Sequence, residues 1–593
     1  MELEVVNEWA KSAEGCFARG DMNSMRACGR QLLEAMPESP EGLALVAEAS
    51  VYLQDFETAE EYLQKFWELP SQKSVSAANL RGLLAAAVFF GARYELDRAL
   101  SAYEQLFSRY QDGIKKGLSS RQRFISGQTG WSELDRQLVM RGYSFYADTC
   151  LVAGETEKAA EATFMVSSML EDRAAAASYF SKGLFLSNYR SADAQSLAAK
   201  HAQYGQMYPE QLGFPHDANT KNKPHALRIG YISPDFRLHA AAYFFTALLK
   251  DGNHGEFTVY GYSTGREDHV TQRFKKMADR WRDVHGRTPQ EIAKLIHDDR
   301  IDILVDLSGH SQNSCLPVMA CRPAPVQVSG IGYINTTGLP AVDFFLTDEC
   351  CMPKGERNSG FMEQPLRLPH CHLCYRPETM RDLRSQGHNA PGMERGYITF
   401  GSFNSFAKVT DAMLVQWRNI LQAVPDSRLV IKCKICSVPS GQEIVRQRFR
   451  RLGGDAGRLE LRPFTPDYLT QYNDIDIILD TAPYNGGLTT CDALYMGVPV
   501  ITLRGKTHGS RYGASILIAA GLPELVANSP REYVAKAVQL ATNGILLNKL
   551  HRELPEMMRN SRLMDGKAYM QDLEAAYKKI WQHYCSGSLM PIK

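Results

Sequence analysis

The order of apolar and polar positions divides the chain into two classes of secondary structure. Up to residue 205, apolar side chains recur every three or four positions, alanine and glutamate are abundant, and strand-like runs are almost absent. From residue 227 onward, short runs rich in β-branched and aromatic residues alternate with helical segments. This pattern predicts packed helices followed by parallel, doubly wound α/β sheets.

The helical region carries an internal repeat. Gly20-Asp21 and Gln54-Asp55 each stand between two helical stretches, 34 positions apart, which is the tetratricopeptide period. Looser copies lie at residues 91–99 and 154–159. We therefore predict a tetratricopeptide-like repeat domain over residues 1–205, with a generic helical bundle as the alternative. A repeat array offers a groove for a protein partner and a surface through which the chain could form oligomers.

Two α/β halves are predicted after the repeats. A polar segment rich in turn-forming residues, 206–226, is interpreted as a linker. An N-terminal Rossmann-like half at 227–395 and a C-terminal half at 396–565 follow, and a helix at 566–593 closes the chain. The predicted strands are residues 227–232, 257–262, 301–307, 326–331, 344–347, 397–400, 428–433, 475–479 and 500–503. Ligands of such sheets bind at the carboxyl ends of strands, so we expect chemistry in the cleft between the halves.

Composition excludes several functional classes. A chain of 593 residues is too long for a single core, and a net charge of +1 lacks the basic excess that nonspecific nucleic-acid binding requires. The longest apolar runs are far shorter than the ~20 residues of a membrane span, and no secretory signal is readable. The 13 cysteines form no dense framework and fit reduced thiols. We expect a cytoplasmic protein with no membrane span and no nucleic-acid partner.

A glycine loop between two C-terminal strands has the design of a phosphate site. Gly486 and Gly487 precede a helix, so backbone N–H groups and the positive helix terminus can approach an anion. Thr489 and Thr490 add hydroxyl donors, and Asp492 can accept hydrogen bonds from a sugar hydroxyl. A capped crossover that binds no ligand is the alternative interpretation.

Two further side chains are predicted at the cleft edge. Lys408 lies in a strand-to-helix loop of the C-terminal half, where an ammonium group can neutralise a leaving diphosphate. His239 lies just beyond a strand of the other half, where an imidazole can exchange protons near neutral pH. A solvent-facing lysine and a structural histidine are the respective alternatives.

The sequence gives little support for a metal site. Walker A, GxSxG and HExxH motifs do not occur. Two CxxC pairs and two neighbouring histidines have zinc-like spacing, namely Cys371/Cys374, Cys433/Cys436, His370 and His372. Cys433 continues a strand, however, and the four cysteines need not meet. The DxD motif at 474–476 heads a buried strand and is discounted.

Taken together, the motifs resemble the O-linked N-acetylglucosamine transferase and SPINDLY family of protein glycosyltransferases. The segments that carry the resemblance follow the family order behind the repeats: RIGYISPDFRLH, DILVDLSGH, CRPAPVQVSGIGYINTTGLPAVDFFLTD, LPHCHLCYRP, YITFGSFNSFAKVTDAMLVQWRNILQAVPDSRLVIKCK, NGGLTTCDALYMGVPVITLRG and YMQDLEAAYKKIWQHY. LCYRP and FGSFNSFAKVT look closer to SPINDLY, and GSRYGAS looks closer to the N-acetylglucosamine branch. The resemblance implies a two-domain GT-B fold, a nucleotide-sugar donor, transfer to protein Ser or Thr, and no catalytic metal.

The resemblance also implies roles for individual residues. Lys408 would hold the donor diphosphate, and Asp492 would bind the ribose. The full donor-binding set is Asn404, Ser405, Lys408, Tyr468, Gly487, Leu488, Thr489, Thr490 and Asp492. His239 falls on the active-site histidine and is, with Lys408, a candidate catalytic residue. The loops that would face the sugar and acceptor contain His310, Asn335, Thr336, Thr337 and Gly338.

Three positions depart from the family pattern and leave the donor open. Leu488 stands where a third Thr or a His-Thr pair is common, Tyr468 where a base-contacting His is expected, and Ile334 where Pro is expected. We expect an inverting O-glycosyltransferase that uses UDP-N-acetylglucosamine, with GDP-fucose or UDP-glucose as alternative donors and Asn as an alternative acceptor. A repeat scaffold with an inactive transferase half is the alternative of another class.

Overall fold

A computed structural model describes residues 2–69, 77–115, 133–190, 194–208, 213–216, 226–356, 360–379 and 385–587. The chain forms two compact units. One comprises Met1–Gly183 and Ser437–Val445, and the other comprises Leu184–Cys436 and Arg446–Lys593. Residues 209–212 and 217–225 of the predicted linker, and residues 588–593 of the predicted closing helix, lie outside the described residues.

The N-terminal part of the chain is helical, as predicted. Short turns connect several successive helices, as between the first two, Glu2–Ala18 and Met22–Ala35. The helices are α1 Glu2–Ala18, α2 Met22–Ala35, α3 Pro40–Tyr52, α4 Phe56–Glu68, α5 Ala77–Ala92, α6 Leu96–Lys115, α7 Glu133–Ala153, α8 Thr156–Met169, α9 Arg173–Ser187 and α10 Ala194–Gln206.

One turn geometry recurs between these helices and confirms the repeat. A residue with left-handed backbone, φ between 58° and 80°, ends the first helix of each of four pairs: Gly20, Gln54, Tyr94 and Gly154. An acidic residue follows each of them. Asp21 accepts a hydrogen bond from the Ser24 N–H at 3.0 Å, and Asp55 accepts one from the Thr58 N–H at 3.3 Å. Each pair thus combines a left-handed helix end with an acidic residue before the next helix, and aspartate caps the two most similar copies.

The second unit contains two parallel sheets. The first has the order β3-β2-β1-β4-β5-β6-β7 and the second β10-β9-β8-β11-β12-β13. In register, Ile229 of β1 pairs with Val259 of β2 and Ile303 of β4. The strands are β1 Leu227–Ser233, β2 Phe257–Ser263, β3 Arg280–Asp283, β4 Ile303–Asp306, β5 Val326–Gly330, β6 Phe344–Asp348, β7 Gln364–Leu368, β8 Thr399–Ser402, β9 Arg428–Lys432, β10 Leu459–Arg462, β11 Ile477–Leu479, β12 Val500–Leu503 and β13 Val526–Ala527.

Helices connect these strands, and several of them begin at a side-chain cap. Thr288 and Glu291 form a reciprocal capping box at the start of α13, with Pro289 in its first turn. The helices are α11 Thr246–Lys250, α12 His269–Lys275, α13 Pro289–Asp298, α14 Leu316–Ala320, α15 Gly392–Arg395, α16 Asp411–Ala423, α17 Pro439–Arg451, α18 Leu488–Tyr495, α19 Tyr512–Ala519, α20 Pro530–Thr542, α21 Gly544–Arg559 and α22 Gly566–Cys585. Within the described residues, none of the helices has the length and apolar character needed to cross a membrane.

A continuous apolar cluster joins the two sheets. It includes Ile229 and Val328 of the first sheet and Val430 and Val500 of the second, all buried. Helix α22 packs on β5 and β7 of the first sheet. This helix therefore follows the C-terminal Rossmann-like half in sequence but packs on the N-terminal Rossmann-like half. Burial of this shared surface fixes the relative position of the strand ends that carry the candidate site.

Candidate active site

The loop between β11 and α18 is organised by one buried carboxylate, Asp480. Its Oδ1 accepts hydrogen bonds from the N–H groups of Gly486 at 2.7 Å and Thr481 at 2.8 Å, and its Oδ2 accepts one from Thr502 Oγ1 at 2.7 Å. Burial raises the pKa of Asp480 to about 6, although these donors and the neighbouring Lys408 favour the charged form. Asp480 was not among the site residues predicted from the sequence. An acidic residue directly after a buried strand and before a glycine-containing loop is the sequence pattern that could have identified it.

Close packing at Gly486 shapes the start of α18. A Cβ at this position would lie 2.5 Å from Thr489 Oγ1 and 2.8 Å from Thr490 Oγ1, so only glycine fits without displacement. Thr490 donates back to the Gly486 carbonyl at 3.0 Å. Gly487 precedes the helix and has no side chain to cap it. The first N–H groups of an uncapped helix form a binding site for an anion.

Lys408 reaches the same loop from the neighbouring strand. It ends a 3₁₀ turn, Phe406–Lys408, after β8. Its Nζ donates to the Asn485 carbonyl at 3.0 Å and lies 4.1 Å from the centroid of the Tyr484 ring. Burial lowers the pKa of Lys408 to about 8, and the Asp480 carboxylate opposes this shift. The ammonium group is therefore held within the loop, not extended into solvent.

Asn404 connects the two loops. Thr489 Oγ1 donates to Asn404 Oδ1 at 2.9 Å, and the side chain of Asn404 is buried. Ser405, the next residue, is exposed, while Leu488 is partly buried and packs on the shared apolar cluster. The structure therefore joins Asn404 to Thr489 directly, whereas the Ser405 carbonyl accepts from the Lys408 N–H at 2.9 Å and its side chain does not cap the turn.

Asp492 lies inside α18 with both carboxylate oxygens occupied. Tyr375 donates to Oδ1 at 2.7 Å and Tyr468 donates to Oδ2 at 2.6 Å, and Asp492 has no exposed surface. Tyr468, one of the three departures from the family pattern, is thus bonded to the predicted ribose-binding acid. Tyr375, in the LCYRP motif, was not among the predicted site residues.

His239 begins a short turn that contacts helix α18. It caps the 3₁₀ turn Ala240–Phe244, and this turn lies against α18. Its Nδ1 accepts a hydrogen bond from the Ala241 N–H at 3.3 Å and lies 3.4 Å from Asp235 Oδ2. Burial lowers the pKa of His239, and the Asp235 carboxylate opposes the shift. A neutral imidazole paired with a carboxylate has the composition of a general base.

His310 is enclosed by aromatic rings. Its ring centroid lies 4.6 Å from that of Tyr204, 5.1 Å from Tyr333 and 5.2 Å from His201. Its Nε2 donates to the Thr337 carbonyl at 2.8 Å. Burial holds the pKa of His310 well below its ordinary value. The side chain is a fixed, neutral element under the 335–338 loop.

The 335–338 loop is tied down from within. Thr336 donates to Glu363 at 2.6 Å, and the Thr337 hydroxyl and N–H also donate to this buried carboxylate. Asn335 donates to Asn188 Oδ1 at 3.0 Å. Gly338 has φ of +73°, and a Cβ there would lie 2.0 Å from a carbonyl of α10, so the helix packs directly on its backbone. The threonine hydroxyls are therefore committed to internal bonds.

The cysteine and DxD motifs do not form the metal sites considered from sequence. Among the described residues, no group of potential metal ligands includes Cys374, Cys433 or Cys436. Cys433 and Cys436 have their sulfur atoms 3.4 Å apart within the C-terminal half. In the DxD motif, Asp474 pairs with two arginines and Asp476 accepts from the backbone of Gly392 and Thr399.

A family model and two curated relatives identify the same family of glycosyltransferases. The family model described as Glycosyl transferase family 41 matches residues 189–380 and 378–573. Proteins named probable UDP-N-acetylglucosamine--peptide N-acetylglucosaminyltransferase SPINDLY from Petunia hybrida and Arabidopsis thaliana are each 41% identical over 387 residues. The alignments cover 63% of this chain but only 41% and 42% of those relatives, less than half of their length.

One solved structure aligns with nearly the whole chain. A mutant of the Thermobaculum terrenum O-GlcNAc transferase superposes with a TM-score of 0.72 at 26% identity, covering 99% of both chains. The predicted fold class is confirmed: helical repeats followed by the two Rossmann-like halves of a GT-B fold.

Proposed function

Because the chain belongs to glycosyl transferase family 41, we propose that it transfers a sugar from a nucleoside diphosphate donor to Ser or Thr hydroxyls of proteins. The observation that carries the proposal is the convergence of Lys408, the Asp480-held loop and the N-terminus of α18 at one place. An ammonium group beside open helix amides is complementary to a diphosphate.

In this proposal the donor diphosphate lies against α18. The acceptor hydroxyl oxygen attacks the anomeric carbon from the face opposite the diphosphate, so the configuration inverts. As the bond from the anomeric carbon to the phosphate oxygen breaks, its electron pair goes to the diphosphate. Lys408 and the amides of α18 stabilise this charge, and Thr489 and Thr490 add hydroxyl donors. Asp492 is the predicted ribose-binding acid, and because it has no exposed surface, the partly buried Tyr468 hydroxyl that it holds is the proposed link to a ribose hydroxyl.

His239 is the proposed base. In the tautomer that acts as the base, the proton is on Nδ1 and faces the Asp235 carboxylate 3.4 Å away, so Nδ1 has to give up the hydrogen bond that it accepts from the Ala241 N–H at 3.3 Å. The lone pair on Nε2 then takes the proton of the acceptor hydroxyl. The contact between α18 and the turn that His239 begins supports its placement beside the donor. The 335–338 loop would form the sugar and acceptor side of the site, and His310 would support this loop through its bond to the Thr337 carbonyl.

We propose UDP-N-acetylglucosamine as the donor, because the SPINDLY relatives and the Thermobaculum protein carry that sugar in their names. GDP-fucose and UDP-glucose remain the alternatives. The proposed protein acceptor binds along the groove of the repeats. No catalytic metal is part of this proposal.

Thermal stabilisation by nucleotides tests the proposal. UDP, GDP and their sugar conjugates are compared, since a ligand at 100 times its Kd adds about 2.7 kcal/mol to the unfolding free energy. A shift with UDP and UDP-N-acetylglucosamine supports the proposed donor, whereas a shift with GDP alone favours fucose transfer. Absence of a shift with every nucleotide favours a repeat scaffold with an inactive transferase half.

A further inference from the structure

Five buried side chains with metal-ligating atoms meet outside the donor and base residues described above. One atom each from Cys351, His372 and His508 lies within 4.8 Å of the other two. The same holds for Asp348, Cys371 and His372. All five residues are at most 7% exposed. We call them the cysteine–histidine cluster.

The fold brings these residues together from both halves of the second unit. Asp348 ends β6 and Cys351 follows it, while Cys371 and His372 follow β7, the parallel neighbour of β6. The carboxyl ends of adjacent parallel strands meet at one edge of the sheet, which places these side chains together. His508 arrives from the other half, in the loop after β12.

His372 has the environment of a metal ligand. Its Nδ1 donates to Asp348 Oδ2 at 2.5 Å, and the same carboxylate accepts from the Cys351 N–H at 2.7 Å and the Ser515 hydroxyl at 2.7 Å. Its Nε2 is buried and has no hydrogen-bond partner among the described residues. Leaving a buried polar atom unpaired costs free energy. A histidine whose other nitrogen is held by a carboxylate is the usual arrangement around bound metal ions.

His508 lies beside His372 and carries its lone pair on Nε2. Its Nδ1 lies 3.1 Å from the Ile334 carbonyl, which can only accept, so the proton is on Nδ1. The lone pair is therefore on Nε2, where the present neighbour is the Thr347 hydroxyl at 3.0 Å. The rings of His372 and His508 have their centroids 5.3 Å apart. A metal ion would replace the threonine hydroxyl as the partner of Nε2.

We propose that Cys351, His372 and His508 bind one zinc ion that links the two Rossmann-like halves. A thiolate with two imidazoles is a ligand set that zinc favours, and a fourth tetrahedral position is left for water. Metal–ligand bonds of about 2.0–2.3 Å hold ligand atoms roughly 3.5 Å apart, so binding requires shifts of about 1 Å. The ion displaces the thiol proton of Cys351, which is released to solvent. Asp348 is a positioning residue for His372.

Metal uptake by the full-length protein tests the proposal independently of sugar transfer. Protein stripped with a chelator is given zinc, desalted, and measured for bound metal by mass spectrometry. We expect one equivalent in the wild type and in Cys374→Ser, a matched buried cysteine three residues after Cys371 that belongs to no ligand group. We expect its loss in Cys351→Ser and His508→Asn. Asp348→Asn should weaken zinc affinity about 10- to 100-fold.

Cobalt binding to the wild type keeps the test decisive where a variant does not fold. Co²⁺ in this ligand set should give a thiolate-to-metal charge-transfer band and the intense visible bands of tetrahedral coordination. Absence of stoichiometric zinc uptake together with absence of these bands would overturn the proposal. Retention of a full zinc equivalent by folded Cys351→Ser and His508→Asn would overturn it as well.

Discussion

Replacing Lys408 with methionine should stabilise the fold while abolishing turnover. Burial lowers the pKa of Lys408 from 10.5 to about 8, so the folded protein holds an ammonium group that water would solvate better. A pKa difference of one unit corresponds to about 1.36 kcal/mol, so the charged Lys408 side chain destabilises the folded protein by about 3 kcal/mol at pH 7. The hydrogen bond to the Asn485 carbonyl returns about 1 kcal/mol. We therefore expect Lys408→Met to be more stable by about 2 kcal/mol.

The sign of the pH dependence follows from the same shift. Below pH 8, Lys408 is charged in both the folded and the unfolded chain, and the full cost is present. Between pH 8 and 10.5 the folded protein loses this proton while the unfolded chain keeps it, so the wild type gains stability relative to the variant as pH rises. The advantage of methionine should be about 2 kcal/mol smaller at pH 9.5 than at pH 7.

Urea unfolding of both proteins at pH 7 and pH 9.5 measures these differences. Lys549→Met, which removes a mostly exposed lysine of α21, is the matched control and should leave stability within about 0.5 kcal/mol of the wild type. A Lys408→Met protein that is less stable than the wild type at pH 7, or a difference that does not change with pH, would refute the reasoning that this ammonium group is desolvated.

Three other substitutions probe the donor and base sites. Gly486→Ala should destabilise the protein by about 1–3 kcal/mol in urea unfolding, because its Cβ would lie 2.5 Å from a threonine hydroxyl, and it should also weaken nucleotide binding. Gly487→Ala, whose Cβ would have no atom within 4 Å, is the control for the change in stability. Asp235→Asn should lower kcat at least tenfold with little change in KM, because it removes the carboxylate beside His239. A kcat equal to that of the wild type would exclude this pairing from the mechanism. Tyr468→Phe should weaken nucleotide affinity about fivefold in calorimetry, since Oδ2 of the buried Asp492 loses the hydroxyl that donates to it. An unchanged affinity would show that Tyr468 is not part of the donor site.

Strand prediction succeeded in the sheet interiors and failed at their edges. Each of the nine predicted strands overlaps an observed strand, whereas β3, β7, β10 and β13 were not predicted. These four are the edge strands of the two sheets. An interior strand is buried on both faces and reads as a continuous apolar run. β3, with the sequence RWRD and little burial, has no such pattern, and β13 contains only two residues.

Contacts local to a motif were predictable, and long-range partners were not. Lys408 and the helix that starts at Leu488 follow from strand-to-helix loops that can be identified in the sequence. Asp480 bonds within its own loop, and its position after a strand was a usable signal. Tyr375 reaches Asp492 across 117 positions, and His508 meets His372 only because the two halves pack together. Neither contact leaves a local pattern.

Donor turnover by the wild type and by Lys408→Met tests the proposed function most directly. The purified proteins are incubated with UDP-N-acetylglucosamine, GDP-fucose or UDP-glucose, and release of the nucleoside diphosphate is measured without an added acceptor. We predict UDP release from UDP-N-acetylglucosamine by the wild type, and a rate at least 100-fold lower for the variant, which the unfolding data should show to be folded. Consumption of none of the donors, or equal release by both proteins, would contradict the assignment of this cleft to sugar transfer.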